Sequence, residues 1–302
     1  MRPVLAVVAL VLTLAGCGGG SEARPVAPSD GDRAPLRIGT KDFTEQYILG
    51  ELYAQALEAK GIPVELKPDV GSSEITHQAL AGGALDMYPE YVGVLLSEVA
   101  NDRSRPRNAR DAYRIAKAFE ERNGFTLLGM TPFSDANALA VTPAYARRHS
   151  LRDISDLRGV PGTVRIGAPP EFRTRFEGLV GLGQRYGLEN ARAVPMAIGA
   201  QYAALDSGKV DAAAVFTTAG QLADRRLVLL DDPRGVFGTQ HVAPVISRRA
   251  LKAFGPRLSA ILDSVSARLT ATAMRRMNAA VDLRGREPGE IADEFLRGQR
   301  LK

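Results

Sequence analysis

From Leu36 onward, apolar positions alternate between two rhythms. "LRIGT" (36–40) is a short apolar run of strand type. Over 42–60, Ile48, Leu49, Leu52, Ala56 and Leu57 recur at helical spacing, which predicts an amphipathic helix. Asp42 stands where an N-cap would sit, Glu45 follows three residues on, and Gly61 ends the pattern. The alternation continues with a strand over 63–70, a helix over 73–83 and a strand over 84–91 that ends in a turn. It restarts with strands over 136–142, 163–168, 211–218, 226–232 and 241–247. Helices are expected to open at 154–157 and to cover 171–187, 199–207, 250–280 and 288–298. "GLVGLG" (178–183) lies inside one of them and reads as a packing or kink feature, not a phosphate loop.

Strands alternating with helices predict mostly parallel sheets covered on both faces, with ligands at the carboxyl ends of strands. Asp42, Phe43, Thr44, Gly71, Ser72, Ser73 and Tyr91 fall at such ends. The restart divides the chain into two α/β lobes: lobe I from 36–136 and 242–302, lobe II from 137–241. The chain crosses between them near 134–138 and 238–243. This arrangement suits a hinged protein that closes a cleft on a ligand.

The first 35 residues follow neither rhythm. Arg2 precedes an apolar run from Val4 to Leu14, too short to span a bilayer but suited to the core of a signal peptide. "LAGC" ends it and contains Cys17, the one cysteine of the chain. The string resembles a bacterial lipobox, which implies cleavage after residue 16 and lipidation of Cys17. Residues 17–35 then read as the lipidated cysteine and a flexible Gly/Pro/Ser tether that leaves the protein anchored outside the cell membrane.

Composition changes the picture little. The 302 residues are 45% hydrophobic, enough for two cores, and the net charge of +5 is spread over isolated arginine pairs without a nucleic-acid motif. His77, His149 and His241 lack metal-ligand spacing, and no nucleophile elbow, P-loop or dinucleotide fingerprint is present. The reading is therefore binding without catalysis, cofactor or metal.

Phe43, Tyr47, Tyr88 and Tyr91 cluster around two glycine-bounded segments of a chain that contains no tryptophan. Tyr47, Tyr53 and Tyr88 are expected to pack, and Glu90 reads as a buried acid. Phe43 and Tyr91 are candidates to face a cation, which aromatic rings attract by about 0.5–2 kcal/mol each.

"IGTKDFTEQYILGELYAQALEAKG" with "ALAGGALDMYPEYVGV" resembles the extracytoplasmic substrate-binding proteins of ABC importers for glycine betaine, choline and related osmoprotectants. The likeness continues in order through most of 36–298. It implies the two-lobed, type II periplasmic-binding-protein (flytrap) fold, a quaternary ammonium ligand, a membrane permease as partner and a monomer. By position it implies that Tyr91 and Tyr202 are cage tyrosines. Arg175 would face an anionic group, and Thr44 or Gln46 and Ser73 would line lobe I. Where many members carry a tyrosine before "ALAV", this chain has Asn137, and where another precedes "xAAPV" it has Gln240 or His241. Val92 and Val94 replace the threonines that often follow "YPEY". These exchanges favour a low-affinity betaine binder or a ligand that also offers hydrogen bonds, such as ergothioneine. A flytrap that serves a sensor instead of an importer is the other expectation.

Overall fold

The computed structural model describes residues 34–102, 104, 106, 108–224 and 227–302. The expected signal peptide, Cys17 and the expected tether up to residue 33 lie outside the described residues. Among the described residues no helix is long and apolar enough to cross a membrane.

Two five-stranded sheets form the framework. The first has the order β2-β1-β3-β10-β4, built from β1 (Leu36–Gly39), β2 (Val64–Lys67), β3 (Met87–Tyr91), β4 (Phe125–Leu127) and β10 (Val242–Ser247). The second has the order β7-β6-β8-β5-β9, from β5 (Asn137–Val141), β6 (Val164–Ala168), β7 (Ala191–Pro195), β8 (Ala212–Phe216) and β9 (Val228–Leu230). In each sheet one strand runs antiparallel to both neighbours. It is β10 in the first sheet, paired with β3 and β4, and β5 in the second, paired with β8 and β9. Both follow directly on a segment that joins the sheets, so each strand arriving from the other lobe enters against the local direction.

Both faces of each sheet are covered. Lobe I packs Leu36, Ile38, Met87 and Ile246 against α1 (Thr44–Glu58) and the C-terminal helices on one side. On the other, Tyr88, Val92 and Val245 meet α2 (Ser73–Ala81) and the helix Ala109–Arg122. Lobe II has equivalent clusters around Leu139, Ile166 and Tyr186, and around Ala140, Tyr202 and Val215. β3 and β10 are buried along their whole length, and β3 carries the charged Glu90 into that interior, where Lys41 pairs with it.

Several expected elements change shape. Phe43, not Asp42, holds the N-cap position of α1, and no side chain caps that end. The single helix expected over 171–187 is broken into Pro170–Arg173, Phe176–Val180 and Gly181–Tyr186. Gly178 has φ −157° and ψ −144°, and a Cβ there would lie 2.1 Å from the Phe172 carbonyl oxygen. The 250–280 helix is likewise three, Arg248–Phe254, Pro256–Ser266 and Ala271–Asp282, divided at Gly255 (φ 73°) and around Leu269.

Candidate functional site

The carboxyl ends of β1 and β3 meet in a cluster organised by a lysine. Lys41 stands two residues past the end of β1, and its buried ammonium donates to Glu90 Oε1 at 2.5 Å and to Ser73 Oγ at 3.0 Å. The same Nζ lies 4.6 Å from the centre of the Tyr91 ring and 5.8 Å from that of Phe43. Phe43 and Tyr91 are stacked, with centroids 6.1 Å apart and planes 24° from parallel. Tyr91 is buried, whereas Phe43 leaves 38% of its surface open. One ring therefore forms a wall while the other remains accessible.

Beneath the rings lies a layer of acids. The Tyr91 hydroxyl donates to Glu45 Oε1 at 2.9 Å, and Asn278 Nδ2 donates to Glu45 Oε2 at 2.8 Å. Burial pushes the Glu45 carboxyl above its ordinary range, opposed by hydrogen bonds from Thr218, Asn278 and Tyr91. Asp135 keeps some exposed surface, but its carboxyl is held well above the ordinary range by burial and by the nearby Glu45 charge. The Tyr91 hydroxyl is pushed up for the same reasons.

Lobe II supplies a second polar cluster. Asn137, at the start of β5, donates from Nδ2 to Glu177 Oε2 at 3.0 Å. Gln240 Nε2 approaches Glu177 Oε1 at 3.3 Å, while Gln240 Oε1 accepts from the Val94 backbone N–H of lobe I at 3.1 Å. Gly93 admits this amide because a Cβ there would lie 2.6 Å from Gln240 Oε1. Burial raises the Glu177 carboxyl to about 7, with the Asn137 and Gln240 amides pulling the other way. Arg175, exposed, lies within electrostatic reach of Glu177 and of Glu74 in lobe I, and Glu74 is within reach of Lys41. The two clusters face one another across the junction of the lobes.

Of the residues expected from sequence, Phe43, Tyr91 and Ser73 come together on one wall, and Asn137, Gln240 and Arg175 on the other. Four lie elsewhere. Tyr202 is 3% exposed and packs among Ala138, Ala140, Leu205 and Val215 in the interior of lobe II. The Thr44 hydroxyl donates to Asp282 at 2.6 Å. Gln46 braces the β1–α1 turn, accepting from the Lys41 N–H and donating to the Pro89 carbonyl oxygen. His241 Nδ1 donates to the Thr131 carbonyl oxygen at 2.9 Å.

Sequence reasoning passed over Lys41 and Glu177. A lysine straight after an apolar strand was a usable signal for the first. For the second only its position two residues past Arg175 offered one. Among the described residues no cluster of three or more His, Cys, Asp or Glu side chains could hold a metal ion.

The comparisons with known proteins decide the family. Residues 34–298 match the model described as the substrate binding domain of an ABC-type glycine betaine transport system. The chain belongs to this family. Among its relatives is the glycine-betaine-binding protein of Pseudomonas aeruginosa, 33% identical over 277 residues that cover 88% of both chains. The ergothioneine transport permease/ergothioneine binding protein EgtU of Helicobacter pylori is 28% identical over 267 residues, covering 88% of this chain and 48% of that protein. The solved structure of apo YehZ from Escherichia coli superposes with a TM-score of 0.74 at 26% identity, covering 89% of this chain and all of that one. The two-lobed type II binding-protein fold and the extracytoplasmic, substrate-binding role within an ABC importer follow from this membership.

Proposed function

We propose that this substrate-binding protein captures a betaine-like solute, with a cationic nitrogen and a carboxylate, between its lobes and hands it unchanged to an ABC permease. Glycine betaine is the reference ligand. In this reading the protein is a monomer held at the membrane by lipid on Cys17, and no covalent step occurs in the cleft.

The observation that carries the reading is the charge pattern of the two walls. Lys41 on the lobe I wall offers a donor to a carboxylate, while the Glu177 carboxylate on the lobe II wall suits a cation. A solute bearing both charges makes contacts to both lobes that exist only in the closed form, and this differential affinity drives closure. Choline, which lacks the carboxylate, leaves Lys41 without a new partner and binds more weakly.

The test is calorimetric titration of the full chain with glycine betaine, repeated on Tyr91→Leu. The leucine keeps a buried apolar volume but removes the ring from Lys41 and Phe43. The expected loss is about 1–2 kcal/mol of binding free energy. Equal affinity in the two proteins would remove the aromatic wall from the site.

A further inference from the structure

Glu177 is an acid without a cation. Its partners are two neutral amides: Asn137 Nδ2 on Oε2, and Gln240 Nε2, 3.3 Å from Oε1 and 3.5 Å from Oε2. No lysine or arginine among the described residues makes an ion pair with it, and Arg175 and Glu98 act on it only at longer range. The amides are not free to rearrange. Gln240 Oε1 is engaged by the Val94 N–H, which turns Nε2 towards Glu177, and the closeness of Gly93 leaves no room for the amide to swing. Asn137 is held at the start of β5, opposite Phe216 of β8. A carboxylate so oriented and so largely removed from water is a poor resting state for a negative charge, and burial accordingly raises its affinity for a proton. A cation that reaches it relieves that cost, and one bearing an N–H gains a charge-assisted hydrogen bond as well.

The other wall cannot serve the same end of the ligand equally well. Lys41 already places its own ammonium 4.6 Å above the Tyr91 ring, so the inner aromatic face holds a positive charge supplied by the protein. A ligand cation beside it would be repelled, whereas a ligand carboxylate would be welcome. The zwitterion is thus oriented with its carboxylate towards Lys41 and its nitrogen towards lobe II.

Resting on the function proposed above, we infer that Glu177 is the specificity-determining residue of the site. It accepts a hydrogen bond from the cationic nitrogen of the ligand, so that a protonated tertiary amine such as N,N-dimethylglycine is taken in preference to its fully methylated homologue. A quaternary nitrogen has no proton to donate and holds the carboxylate off with its methyl groups.

The test is a pair of calorimetric titrations of the full chain at pH 8, with N,N-dimethylglycine and with glycine betaine, repeated on Glu177→Gln. The wild type is expected to bind dimethylglycine roughly tenfold more tightly. In Glu177→Gln this preference falls to within about threefold. A second arm needs no variant: in the wild type the preference should shrink between pH 8 and pH 6 as the carboxyl takes up its proton. Glycine betaine bound as tightly as dimethylglycine by the wild type, or a ratio indifferent both to pH and to the substitution, would overturn the inference and leave the betaine-binding reading standing. Failure of both solutes to bind at millimolar concentration would overturn both readings.

Discussion

Lys41 and Glu90 form the most tightly buried ion pair of the site, 5% and 1% exposed. Glu90 Oε1 also accepts the Tyr91 backbone N–H at 2.7 Å, so the pair fixes the turn that presents the ring. Removing one partner strands the other in a poorly hydrated place, which typically costs about 3–5 kcal/mol. Lys41→Met should therefore lower stability by that order and abolish the advantage of glycine betaine over choline. Adding Glu90→Gln should restore most of the stability and none of the selectivity, as chemical unfolding and calorimetry together would reveal. Recovery of both would make Lys41 a structural residue only.

Glu177 carries a pH signature of its own. Its carboxyl keeps its proton up to about 7 in the folded chain, against 4.5 for the ordinary group. The folded state therefore binds more protons between these values, and the stability that this group contributes is complete below about 4.5 and lost as pH rises through 7. Glu177→Gln has no such loss. Its unfolding midpoint should match the wild type near pH 4.5 and exceed it by pH 8, by the equivalent of about 1–3 kcal/mol. A midpoint difference of the opposite sign at pH 8 would mean that the carboxylate is satisfied by a cation.

At the scale of elements, much was legible in the hydrophobic rhythm. The apolar run 36–40 and the helical spacing over 48–57 became β1 and α1 because burial decides both. Helical spacing alone ran 171–187 and 250–280 together as single helices, although the kink feature expected at 178–183 coincides with the non-helical Gly178. In the first, the break exists because the Phe172 carbonyl oxygen occupies the place of a Cβ at residue 178. Near that break Glu177 leaves helical geometry and meets Asn137 and Gln240, while Arg175 lies within reach of Glu74 in lobe I. Gly178→Ala forces the backbone apart at this point. It should destabilise the protein by roughly 1–3 kcal/mol. It should also weaken betaine binding more than a substitution of similar cost remote from the cleft, measured by thermal unfolding and titration. Unchanged affinity at lowered stability would detach the break from the site.

The candidate site was legible in part, and for chemical reasons. "YPEY" and the turn after β1 led directly to Tyr91 and Phe43, since few aromatics compete for the role. Tyr202 carried the same residue type at helical spacing, and the structure gives it to the interior of lobe II. Lys41 offered a signal in its place after the first apolar run, whereas Glu177, one of 34 acidic residues, stands out only once the fold shows what surrounds it.

At the scale of the whole molecule, the lobes meet where the two joining segments are bonded to each other. Asp135 N–H donates to the Gln240 carbonyl oxygen at 3.0 Å, and Gln240 N–H to Ser134 Oγ at 2.8 Å. Gln240 therefore belongs at once to the joint between the lobes and to the partner set of Glu177. Ligand contact and lobe orientation share one side chain, which is the coupling a closing binding protein requires. The cleft itself carries both signs, with Lys41 beside Glu90 and Glu74, and Arg175 beside Glu177.

The measurement that tests the account most directly is a set of calorimetric titrations in which the two charges of the solute are removed in turn. Glycine betaine carries both, choline only the cation, 3,3-dimethylbutanoate only the carboxylate, and 3,3-dimethylbutanol neither. The account predicts that glycine betaine binds at least about tenfold more tightly than either singly charged solute, and that the uncharged one does not bind. Equal binding of glycine betaine and choline, or of glycine betaine and the uncharged alcohol, would contradict a site in which Lys41 and Glu177 each hold one charge of the solute.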